Sequence, residues 1–151
     1  MINNVVTAIG DRLDEFIKNR LSLTEDTVII SSLVDIKGNI NQDIENKISI
    51  FLINIEEEKV TKNGQFLNYP GSNPPMTINL YLMFSAYFSN FNYTESLLYI
   101  SLVIEFFQNH NFFNKLNTPL LSSNIDKLYV EFSNVGIDEI NKLWGNIGAN
   151  Y

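Results

Sequence analysis

The segment from Asn92 to Gln108 constrains the fold more than any other. Asn92-Tyr93-Thr94-Glu95 reads as a capping box, with Asn92 at the N-cap and Glu95 three residues on. The helix it opens has a polar stripe only at Ser101, Glu105 and Gln108. Tyr93, Leu97, Leu98, Ile100, Leu102, Val103, Ile104, Phe106 and Phe107 fill the rest of its circumference. One sheet covers only part of a helix, so this one needs a second apolar neighbour, in the chain or on another subunit.

The other elements follow from periodicity. Ile2, Val5, Val6, Ile9, Leu13, Phe16, Ile17 and Leu21 recur at three- and four-residue spacing, which predicts a helix over 2–21 with a weak point at Gly10. β-branched residues predict a strand over 27–34, and Lys47–Ile55 a second that runs into Glu56-Glu57-Glu58. Thr61–Met76 holds Asn63-Gly64, Pro70-Gly71 and Pro74-Pro75, and predicts a long surface loop that is mobile in a free subunit and used for contact. Thr77–Phe88 is apolar on both faces, which predicts a central strand. Lys127–Asn134 alternates as a half-buried strand does. Asp138 caps a last helix bearing Ile140, Leu143, Trp144 and Ile147, with Gly148 as its stop.

The order α-β-β-β-α-β-α predicts an α+β fold in a single domain over 1–151. One mixed, mostly antiparallel sheet of about four strands carries two main helices and a short C-terminal one. At 151 residues the chain can bury a core without staples.

Composition narrows function chiefly by exclusion. Cysteine is absent and His110 is the one histidine, which removes thiolate catalysis, cysteine zinc sites and multi-histidine metal sites within one chain. A net charge of −7 is a poor footprint for nucleic acid. Met1-Ile2-Asn3-Asn4 has no cationic leader pattern, and no apolar run reaches the ~20 residues of a membrane span, so the expectation is a cytoplasmic protein with no membrane partner. No GxSxG, P-loop or GxGxxG pattern occurs. No cofactor is expected.

Glu56, Glu57 and Glu58 form the densest acidic cluster. On one strand Glu56 and Glu58 share a face about 7 Å apart. That spacing superficially fits an inverting glycosidase or a Mg²⁺ or Ca²⁺ site, but catalytic carboxylates must flank a substrate from opposite sides. A partner-facing role or a solvated strand end fits better, and no catalytic or metal site is expected. His110 follows a helix end, where the macrodipole favours a cation, and nothing in the sequence supplies it with a nucleophile or an orienting carboxylate. Trp144 and the pairs Phe106-Phe107 and Phe112-Phe113 are expected in the core.

Several phrases then combine. Asn54-Ile55-Glu56-Glu57-Glu58 ends a strand, and Asn73-Pro74-Pro75 precedes Asn79-Leu80-Tyr81-Leu82-Met83-Phe84-Ser85-Ala86. Tyr93-x-Glu95-x-Leu97 leads to Ile100-Ser101 and Ile104-x-Phe106-Phe107-Gln108. Leu143-Trp144 precedes Ile147-Gly148-Ala149-x-Tyr151. In this order, after the opening helix, the set resembles the DUF4255 family across essentially the whole chain. That family is similar to the N-terminal domain of tail terminator, or cap, proteins of extracellular contractile injection systems such as the antifeeding prophage and the Photorhabdus virulence cassettes.

The resemblance implies a structural protein rather than an enzyme: a hexameric ring closing the distal end of the inner tube and sheath, its partners being copies of itself and the sheath and tube proteins. It implies assembly in the cytoplasm into a phage-tail-like particle. Family domains continue past the Gly-Ala-x-Tyr motif into a Pro-Ser-containing strand, whereas this sequence stops at Tyr151. The candidate partner-binding residues are Glu56, Glu57, Glu58, Asn73, Pro74, Pro75 and Tyr151. Alternatives are a baseplate or tail-completion adaptor and, from a different class, a carboxylate hydrolase using Glu56 and Glu58.

Overall fold

A computed structural model describes residues 1–58, 77–89 and 92–147. The fold opens with α1 (Ile2–Leu21), the helix expected from periodicity. It ends where Ser22 turns left-handed at φ 56°, and both Ser22 and Leu23 donate backbone N–H groups to Lys18 O. β1 (Val28–Ile30) follows, then a 3₁₀ turn (Gln42–Ile44), β2 (Lys47–Glu57), β3 (Ile78–Tyr87) and α2 (Tyr93–Asn109). A hairpin of β4 (Phe112–Asn114) and β5 (Lys127–Tyr129) precedes α3 (Ile137–Ile147).

The α+β class holds, with the strands divided between two sheets. β1, β2 and β3 form a mixed sheet in that order, β1 parallel and β3 antiparallel to β2. β4 and β5 pair separately. Among the described residues β2 is therefore the central strand and β3 an edge, contrary to the expectation from the apolar faces of 77–88. Apolar faces report what packs above and below a strand. They carry no information about which edges are paired. Leu80, Leu82, Phe84 and Ala86 pack on the core, while Tyr81, Met83 and Tyr87 are half-buried on the other face.

The strand expected over 27–34 stops at Ile30. Beyond it the Ser31 carbonyl accepts from Ser49 Oγ at 2.5 Å, and the Ser31 hydroxyl accepts from Asn41 Nδ2 at 2.8 Å. The strand expected over 127–134 keeps only three residues, and Phe132 past its end is 57% exposed. Asn92 starts α2 without a side-chain cap to the backbone. Its amide contacts Glu95 Oε2 instead, and its carbonyl accepts from Glu95 and Ser96 N–H.

The core lies between α1, α2 and one face of the sheet. Val5, Ile9, Leu13 and Ile17 of α1 meet Ile48 and Ile50 of β2 and Leu102, Val103 and Phe106 of α2. Phe106 sits at its centre, with ring centroids 5.4 Å from Phe16, 5.0 Å from Phe107 and 6.2 Å from Phe113. Gly10 is buried facing β1 and β2, and a Cβ there would lie 3.6 Å from Ile50 Cδ1, ordinary contact. Asn4 holds the later loop, donating to Leu120 O at 2.9 Å and accepting from Ser122 N at 2.5 Å. Trp144, expected in the core, is half-buried and outside the core cluster, and no residue of α3 is buried.

Candidate functional site: an acidic ribbon and an apolar helix face

β1 pairs only with Ile48–Ile50. Beyond Ile50, β3 is the sole ladder partner of β2 among the described residues, so Phe51–Glu57 and Ile78–Met83 form a two-stranded ribbon. Its register slips between Leu52 and Asn54, which leaves Ile53 as the extra residue of a bulge. A bulge reverses the facing of everything after it. Ile55 consequently pairs with core-facing Leu80, while Asn54 and Glu56 pair with Tyr81 and Asn79 on the opposite face.

The acidic cluster occupies the end of this ribbon. Glu56 accepts two hydrogen bonds, from Tyr81 Oη and Asn54 Nδ2, both at 2.9 Å. The Glu56 carboxylate raises the Tyr81 phenol above its ordinary value, because its bond and its charge both favour the protonated form. Glu56 and Glu57 are exposed, and Glu58 is half-buried with its N–H on Thr77 O at 2.9 Å. Among the described residues no three His, Asp or Glu side chains are grouped to hold a metal ion. Asn73, Pro74, Pro75 and Tyr151, together with the loop expected over 61–76, lie outside the described residues.

His110 is built into the end of α2. Its backbone N–H donates to Phe106 O at 2.8 Å, and its Nδ1 lies 3.1 Å from the same carbonyl. The ring stacks on Phe106 at 4.9 Å. A side chain in that position seals a helix end rather than serving a substrate.

The other notable surface is α2. Ser96, Tyr99, Leu102, Val103, Phe106 and Phe107 are buried, while Tyr93 is 68% exposed, Leu97 47% and Ile104 41%. With half-buried Ile100 these residues sit at spacings of four, three and four, one continuous stripe. The stripe borders the edge of β3 that pairs with no strand among the described residues. Between them runs a groove of about 360 Å³ lined by Phe84, Ser85, Ala86, Tyr93, Leu97 and Ile100. The surplus apolar surface was legible in the sequence. The adjoining strand edge was not, because edge position leaves no mark in the pattern of apolar faces.

A cleft of about 740 Å³ lies between the end of α1 and the start of α2, with Glu25, Asp26, Glu95 and Tyr99 in its wall. Asp26 pairs with Lys18 at 2.6 Å, and Glu95 is held by Asn92. Behind this wall Asp14 ties α1 to β1, accepting from Thr27 N at 2.6 Å, Thr27 Oγ1 at 2.9 Å and Val28 N at 3.1 Å, with Lys18 Nζ at 2.7 Å. Partial burial pushes the Asp14 carboxyl up. Lys18 and Thr27 together outweigh it and hold the group below its ordinary value. Among the described residues no helix is long and apolar enough to cross a membrane.

The described residues form an α+β domain with a buried core on one side of its sheet, an acidic ribbon end and an exposed apolar stripe on α2. The chain is a member of the Pvc16 N-terminal domain family, whose model matches residues 4–151. It is thereby a component of a Pvc-type contractile injection system. No curated protein matches the chain significantly.

Proposed function

We propose that this domain is the subunit of a tail terminator: a hexameric ring that closes the distal end of the tube and sheath. The observation that carries the proposal is the stripe Tyr93, Leu97, Ile100 and Ile104, left uncovered on a chain of net charge −7. A ring subunit needs apolar surface at its sides, and this stripe offers it. The acidic end of the ribbon supports docking on basic side chains of tube or sheath protein, where complementary charge fixes register. The role is structural rather than catalytic. Glu56 is already engaged by two donors on its own ribbon, an arrangement that supports positioning more than acid–base work. Assembly takes place in the cytoplasm, with protein partners and neither nucleic acid nor membrane.

Native mass spectrometry of the full chain, alone and with tube–sheath particles, tests this together with electron microscopy of the particle ends. The expected result is a six-subunit species seated at the distal end. Monomers bound at the baseplate end would replace the ring with an adaptor.

A further inference from the structure

We infer that the turn over 34–40 of one subunit inserts its tip into the cleft between α1 and α2 of the next, with Ile36 on the apolar wall and Lys37 among the carboxylates. This inference deepens the ring proposal and rests on it. The turn is fixed before it meets a partner. Val34 and Ile40 bridge antiparallel at its base. Asp35 N donates to Asn39 O at 2.8 Å, and Gly38 N donates to Asp35 O at 3.0 Å, with Gly38 at φ 81°. The Asp35 carboxylate accepts from Lys37 N at 2.8 Å and from Asn39 N at 2.9 Å. Ile36, at the tip, is 107% exposed. A single exposed apolar side chain is ordinary on a surface. One held on a fixed turn binds without the cost of ordering a loop, and Lys37 beside it adds a positive charge.

The cleft is complementary in both respects. Leu23, Phe88 and Tyr99 give it apolar wall, and Glu25, Asp26 and Glu95 give it acid. Lys18 offsets the charge of Asp26, which leaves Glu25 and Glu95 as net negative charge, and exposed Glu25 has no ion-pair partner among the described residues. Tyr99 is an independent sign of a ligand. It is 5% exposed, and its phenol has no hydrogen-bond partner among the described residues. No wholly buried side-chain N or O there lacks a partner, so this oxygen reaches the cleft surface rather than the core. Burial, and then the charge of Glu95, raises the phenol above its ordinary value, which sets a carboxylate near it. An ammonium can donate to that oxygen and to a carboxylate at once. Tip and cleft have no residue in common, so the contact is heterologous, the kind that closes a ring. Asn92 and Glu95 of the cleft flank Tyr93, so the tip enters where the α2 stripe begins. Copies of a chain of net charge −7 repel one another, and a Lys37–Glu25 pair gives them one attractive register.

Carbodiimide coupling of the assembled full chain, made from isotopically light and heavy subunits and read by mass spectrometry, tests the inference. The reagent joins an ammonium to a carboxylate in contact with it and leaves no spacer. Light–heavy pairs joining Lys37 to Glu25 or Glu95 are expected in the hexamer. Ile36→Asp and Lys37→Glu are each expected to leave the melting temperature unchanged and to weaken the hexamer by about tenfold or more. Adding Glu25→Lys to Lys37→Glu is expected to restore assembly. A hexamer that lacks those crosslinks, or one that tolerates both tip substitutions, overturns the inference while leaving the ring intact. A wild-type chain that forms no ring, alone or at particle ends, removes the ring proposal and this inference together.

Discussion

The phenol of Tyr81 donates a 2.9 Å hydrogen bond to Glu56 Oε2 across a ladder whose register has just slipped by one residue. Without the bulge Glu56 would share a face with Leu52, on the helix side. With it, Glu56 stands on the opposite face beside Asn54 and Tyr81.

This pair gives a spectroscopic prediction. Tyr81 is held above its ordinary value of 10.0 by Glu56, first through the bond and then through the charge. A group whose folded pKa is raised contributes stability that is complete below its unfolded pKa and is lost as pH rises through the folded one. Glu56→Gln is expected to bring the Tyr81 phenol back toward 10, read as an earlier step in the ultraviolet titration of the tyrosines. An unchanged titration would mean that the bond is not made in solution.

Asp14 makes the opposite case. Its lowered pKa means that its contribution is present above the ordinary value of 3.8 and is lost as pH falls through the folded value. Asp14→Ala leaves the N–H and hydroxyl of buried Thr27 without their acceptor, at an expected cost of about 1–3 kcal/mol near neutral pH. The gap between variant and wild type should close below pH 3.8 in urea melts. A gap that persists there would assign the loss to packing.

Gly10→Ala is expected to stabilise the domain by about 0.5–1 kcal/mol. The new methyl meets Ile50 and Ile30 side-chain carbons at 3.6 and 3.7 Å, so it fills available space in a helix where glycine is the poorest non-proline residue. Gly10→Leu overpacks the same seam and is expected to destabilise by about 1–3 kcal/mol. A lowered midpoint for the alanine variant in thermal melts would contradict this account of the helix–sheet approach.

Core and rim of α2 should separate cleanly. Phe106, 1% exposed, is expected to cost about 3–5 kcal/mol as alanine. Leu97→Ala, on the exposed stripe, is expected to stay within about 0.5 kcal/mol. Equal losses in chemical denaturation would mean that the stripe is buried in the free chain.

The acidic ribbon is tested by neutralisation. Glu56→Gln with Glu58→Gln keeps an acceptor for Tyr81 and removes two charges. The melting temperature is expected to hold, while attachment to particle ends weakens and becomes less sensitive to salt. Normal capping at every ionic strength would take the cluster out of the contact.

What the sequence disclosed depended on how many residues carried each signal. α1 was legible from end to end because eight apolar residues repeat at helical spacing. β2 and α2 were legible for similar reasons. β4 was missed because its three residues lie in an Asn-rich stretch and acquire strand geometry only by pairing with β5. β3 was assigned to the wrong place in the sheet because lateral pairing is a long-range property. Trp144 was expected inside because of its size, yet α3 has no buried residue. The acidic cluster was placed correctly at a strand end. The bulge that decides its facing has no signature in Phe51-Leu52-Ile53-Asn54.

Asn4 reaches forward to Leu120 and Ser122, and Arg12 Nη1 donates to Asn117 O. The first helix of the domain therefore waits for residues more than a hundred positions later before its polar contacts close. Until then its apolar face has no sheet to rest on, since Ile48 and Ile50 also follow it in the chain. The core of this domain therefore closes only once residues through Ile125 are available, and a nascent chain stalled before Asn117 carries an exposed amphipathic helix, a target for holdase chaperones.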